Sequence, residues 1–74
     1  MNDDDPSMTE EEREILKQVT LLRQEHADLD ASIEALGHMP VPDQLTIMRL
    51  KRKKLALRDE ITRLEDLILP DIIA

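Results

Sequence analysis

The 74-residue chain contains no cysteine, no phenylalanine, tyrosine or tryptophan, and a single glycine. Without cysteine, neither a disulfide nor a thiolate metal site can staple so small a fold. Without aromatic rings there is no stacking platform for unpaired bases. One glycine excludes a glycine-rich phosphate loop. No uncharged run approaches the roughly 18 residues of a membrane span. Proline is scarce, at positions 6, 40, 42 and 70. A chain of this length makes one domain at most and buries only about 60% of its unfolded surface, which leaves a marginal core.

What the chain does have is charge and aliphatic residues. Charged side chains make up 36% of it, for a net charge of −7. The acidity is concentrated: residues 1–14 carry seven acids against Arg13, whereas residues 15–74 carry ten acids and nine bases. The start, Met1-Asn2-Asp3-Asp4-Asp5, is the opposite of the basic-then-apolar start of a signal peptide, so the reading is a cytoplasmic protein. Acidic blocks without apolar partners stay solvated. Residues 1–8 therefore read as a disordered acidic arm, a solubilising tail rather than a lure for a basic partner.

Helix-start chemistry follows the arm. Ser7 with Glu10, and Thr9 with Glu12, both fit the capping-box spacing of a hydroxyl and a Glu three residues on. The next glycine is Gly37 and the next proline Pro40, so residues 9–36 are predicted as one helix. Gly37 stands where a left-handed C-terminal cap is expected. Residues 37–42 form the loop, with Met39 and Val41 held extended by the prolines after them. Asp43 suits an N-cap, and a second helix over 43–69 ends at Pro70. The short connection makes the helices antiparallel neighbours. Residues 70–74 form an apolar tail in which Ile72 and Ile73 fold back on the first helix or a neighbouring chain.

The apolar pattern is a heptad seam. In the first helix Met8, Glu12, Ile15, Val19, Leu22, His26, Leu29, Ile33 and Leu36 alternate steps of four and three. In the second, Asp43, Ile47, Leu50, Lys54, Leu57, Ile61, Leu64 and Ile68 do the same. A sustained period of about 3.5 defines a left-handed coiled-coil seam. The fold class is therefore all-α, an antiparallel two-helix coiled-coil hairpin. Two registers satisfy the pattern: Leu29 meets Leu50 or Lys54, and Leu22 meets Leu57 or Ile61.

His26 and Lys54 form a polar layer in this seam, a device that fixes register or partner number. The Lys54 ammonium reaches water along its own stem. His26 is placed to bond Asp30 one turn on, or another side chain across the seam. His26 and Asp30 also have the spacing of a metal half-site, but two ligands are too few for zinc. No metal and no cofactor are expected.

A basic run and a second stripe complete the inventory. Arg49, Lys51, Arg52, Lys53 and Lys54 lie within six residues, with Arg58 further on. Arg49, Lys51, Arg52, Lys53 and Arg58 are the candidate phosphate contacts. The opposing first helix offers Glu25, Asp28, Asp30 and Glu34, so pairing between helices accounts for the run without a ligand. Neither nucleic acid nor a membrane surface is the expected partner, since an acidic chain repels both at long range. Met48, Leu55 and Leu69 share one heptad position off the seam and form the candidate interaction surface. Leu16, Leu21, Leu45 and Leu67 are off the seam too. Burying the stripe against another copy gives a four-helix bundle.

The pattern resembles the YdcH-like family, short bacterial proteins grouped as a domain of unknown function. The resemblance rests on Glu25-His26, Leu29-Asp30, Ile33 and Leu36 in the first half. In the second half it rests on Leu50-Lys51, Lys54-Leu55, Leu57, Arg58-Asp59-Glu60-Ile61 and Leu64. It implies a helical hairpin with no assigned activity, and weight on His26, Lys54 and Asp59-Glu60. The functional expectation is a non-enzymatic structural or protein-interaction module, a homo-oligomer or a hairpin docked on a partner protein. The alternative is a basic helix face that binds anionic phosphate surfaces. His26 with Asp59 or Glu60 is the one acid–base set, and a hairpin offers it no concave site.

Overall fold

The computed structural model describes residues 8–68. It contains two helices, α1 over Glu10–Gly37 and α2 over Gln44–Ile68. Positions 1–7 of the acidic arm, Leu69 and the 70–74 tail lie outside the described residues.

The start of α1 is the second of the two capping boxes. Thr9 is the N-cap: its Oγ1 accepts from the Glu12 N–H at 3.1 Å, and its own N–H donates to Glu12 Oε1 at 2.9 Å. Two otherwise unpaired first-turn donors are thereby satisfied. Glu10, Glu11 and Glu12 then place negative charge at the positive end of the helix dipole.

The other end of α1 departs from the sequence reading. Gly37 is the last helical residue and does not take the left-handed conformation. His38 is the C-cap with ordinary right-handed angles, φ −87° and ψ −4°. The His38 N–H donates to the carbonyls of Glu34 and Ala35, and the Met39 N–H to that of Leu36. These tightened bonds close the last turn without glycine's special backbone freedom. Past the turn, Asp43 caps α2. Its Oδ1 accepts from the Thr46 N–H at 3.1 Å and its Oδ2 from the Thr46 hydroxyl at 2.7 Å.

The helices pack antiparallel along their length. Two ion pairs between them, Arg23–Glu65 and Lys54–Asp30, run in opposite directions along the two segments. Leu22 joins the cluster of Val19, Ile61 and Leu64, and Leu57 does not. Together these select the register in which Leu22 faces Ile61 and Leu29 faces Lys54. Every expected seam residue of α1 is buried or half-buried, as is every one from Ile47 to Ile68. Asp43 is exposed, because the cap geometry takes its side chain out of the seam.

Among the described residues the core is Leu16, Val19, Ile47, Ile61 and Leu64. Leu16, placed off the seam by the sequence reading, is only 7% exposed. It stands one helical turn before Val19, on the flank of the stripe. A globular helix buries a wider band than a strict two-in-seven seam, and that band takes in this flank.

Candidate functional site

The polar layer at mid-hairpin is built from both helices. Lys54 Nζ donates to Asp30 Oδ1 at 2.6 Å, between residues on opposite strands of the coil. The hydrogen bond and positive charge of Lys54 hold the Asp30 carboxyl below its ordinary value, with a smaller contribution from His26. Asp30 thus takes the lysine across the seam as its hydrogen-bond partner, not the histidine one turn before it. The reason is reach. The flexible Lys54 stem leans out of the apolar seam toward the flanking carboxylate. A rigid imidazole at a seam position points at the partner helix instead.

Around this layer the structure opens a groove of about 480 Å³ lined by His26, Lys51, Lys54, Leu55 and Arg58. A second groove of about 300 Å³ continues it toward the helix ends, lined by Arg23, His26, Arg58, Ile61, Thr62 and Glu65. His26 and Arg58 belong to both. Lys51 and Arg58 stand on the same α2 edge, two turns apart.

The basic run is therefore divided by the fold. Lys51 and Arg58 enter the groove with Lys54. Lys53 lies on the other edge of the seam, in a groove with Glu25, Asp28, Leu29 and Leu57. Arg49 lies near the start of α2, where its charge helps hold the Asp43 carboxyl low behind the dominant hydrogen bonds from Thr46. Arg52 is exposed. The expected pairing of the whole run with α1 is reduced to one contact: of Glu25, Asp28, Asp30 and Glu34, Asp30 alone forms an ion pair with it. Asp28 accepts from Gln24, and Glu34 lies 3.8 Å from His38. The second interhelix pair, Arg23–Glu65, was not signalled by the seam series. Both residues flank the seam at equivalent heptad positions, and that spacing could have found it.

No hydrogen bond or ion pair joins His26 to Asp59 or Glu60 among the described residues. Glu60 pairs with Arg63 on its own helix and lines a groove with Leu21, Glu25 and Leu64, apart from His26. Among the described residues no group of three or more His, Asp or Glu side chains could hold a metal ion. No described helix is long and apolar enough to cross a membrane. Of the candidate interaction surface, Met48 and Leu55 are each 58% exposed, with Leu45 beside them at 59%. Leu69, the third member, lies outside the described residues.

Fold and surface together define a small all-α protein, a helical hairpin with a polar layer at its middle. Residues 20–65 match the family described as "Protein of unknown function (DUF465)", more than half of the chain, and the chain belongs to that family. The YdcH-like resemblance is consistent with this match. No curated protein and no solved structure matches the chain.

Proposed function

We propose that the chain is a non-enzymatic interaction module that associates with a second copy of itself through the outer face of α2. The observation that carries this reading is the exposed run of Leu45, Met48 and Leu55 beside a core that, among the described residues, holds five buried side chains. A single hairpin of this size gains little from its own seam. Covering the stripe with another copy removes apolar area from water, at roughly 25 cal/mol per Å². A four-helix bundle of two hairpins is the simplest closed arrangement. The non-catalytic part of the reading rests on the grooves, which are shallow and open to solvent. The two displaced carboxyls, Asp30 and Asp43, owe their shifts to an ion pair and a helix cap.

Sedimentation equilibrium of the full chain tests the proposal. The expected mass is twice 8.6 kDa. Met48→Glu with Leu55→Glu should return it to the single-chain value with helicity retained. A wild-type chain that sediments as a single copy at hundreds of micromolar would overturn the reading.

The broader alternative, a basic face laid on a phosphate-bearing surface, draws less support. Its candidate residues, Arg49, Lys51, Arg52, Lys53 and Arg58, point to different sides of α2, whereas a flat anionic surface needs them on one.

A further inference from the structure

We infer that the groove formed by His26, Lys51, Lys54, Leu55 and Arg58 is a binding site for the phosphate chain of a small ligand carrying two or more phosphate groups. The inference goes beyond self-association; Leu55 belongs to both surfaces, so a ligand in the groove and a second copy on the stripe share that side chain. Three cations and an imidazole line this groove. Across it and its continuation, the nearby acids are already engaged, Asp30 by Lys54 and Glu65 by Arg23. Lys51 and Arg58 have no acid partner among the described residues. Two unbalanced cations thus face one concavity on a chain whose net charge is −7.

The spacing suits an extended anion. Lys51 and Arg58 are separated by two turns of α2, about 10 Å of helix axis. A single phosphate engages one end of that span, whereas linked phosphates engage both. Lys54 stands between them, and its ammonium has three donors, of which Asp30 takes one. Arg58 presents a planar fork that matches phosphate oxygens two at a time. His26 closes the α1 side.

The test titrates the ¹⁵N-labelled full chain with inorganic tripolyphosphate at fixed ionic strength. Saturable binding is expected, with amide shifts centred on His26, Lys51, Lys54, Leu55 and Arg58. Inorganic monophosphate should bind at least tenfold more weakly. Lys51→Gln with Arg58→Gln should weaken tripolyphosphate at least tenfold. Arg49→Gln with Arg52→Gln removes the same charge and should leave affinity within twofold. Both pairs exchange exposed residues for a good helix former, so the hairpin persists. ATP should bind no more tightly than tripolyphosphate, because no aromatic ring is present to stack on the base. Unsaturable binding, or equal weakening by the two double variants, would show a diffuse cationic surface and overturn the site. A much tighter ATP complex would overturn the phosphate chain as the recognised element. The titration is repeated with Leu45→Glu, which lies outside the groove lining and well over one turn from Lys51, at a concentration where sedimentation gives a single copy. Binding retained there places the site within one chain, and binding lost there would overturn a site built by one hairpin.

Discussion

His26 and Lys54 occupy equivalent seam positions and resolve the same problem differently. Lys54 escapes sideways to Asp30, so its charge is paired at the rim of the coil. His26 stays half-buried in the seam. His26→Leu is therefore expected to raise the melting temperature by about 4–8 °C, the equivalent of about 1 kcal/mol in a domain this small. Thermal melts at neutral pH check it. A fall would mean that the imidazole belongs to a satisfied network.

Asp30 gives a prediction in pH. Its carboxyl is held below the ordinary value of 3.8, so the folded state favours the ionised form. The stabilisation is complete above that ordinary value and is lost as pH falls through the lowered one. Asp30→Asn should melt below wild type at pH 7, and the gap should narrow as pH falls below the ordinary carboxylate value and through the lowered one. A gap that persists in acid would assign the effect to packing rather than to charge. Of these residue-scale features, the sequence showed His26 and Lys54 as exceptions to an apolar series. It did not show which acid would answer the lysine, because Asp30 is far from Lys54 in the chain and near it only once a register is set.

At the scale of the helices, local chemistry was readable almost to the residue. Thr9 with Glu12 and Asp43 with Thr46 are contacts within four residues, so no tertiary information is needed to expect them. Thr9→Ala should cost about 0.5–2 kcal/mol, the usual range for removing a hydroxyl cap. A denaturant titration of the variant measures it. A loss below a few tenths would mean that fraying of the first turn is decoupled from the core. The end of α1 was misread for a physical reason. Glycine permits the left-handed cap without requiring it, and here the His38 and Met39 N–H groups close the turn with right-handed angles. Leu16 was misplaced because a strict seam is narrower than the band a packed helix buries.

At the scale of the molecule, the described residues form an elongated hairpin, 52 × 24 × 18 Å, with their buried side chains strung along one interface. Such a shape has a large surface for its volume. Any function it performs must therefore be read from its faces rather than from an enclosed interior. Two adjoining surfaces, which share Leu55, differ in kind. The outer α2 stripe is apolar and suits a second copy. The groove beside the polar layer is cationic and suits linked phosphates. Sedimentation in rising salt tests the first: the hydrophobic contact should persist from about 50 mM to about 500 mM salt, whereas a contact made by charges is screened and weakens. Dissociation of the pair by salt would place the charges, not Met48 and Leu55, at its interface.

The order of elements, the two N-terminal helix caps, the antiparallel pairing and the apolar residues of the seam follow from the sequence, because each depends on neighbours within a few turns or on a period repeated along one helix. The choice between two registers, the partner of Lys54, the Arg23–Glu65 bridge and the division of the basic run between two edges required the tertiary structure. A period fixes which angle of a helix is buried. Only the contact between two helices fixes how far one slides along the other, and a charge finds its partner across the seam only after that slide is settled.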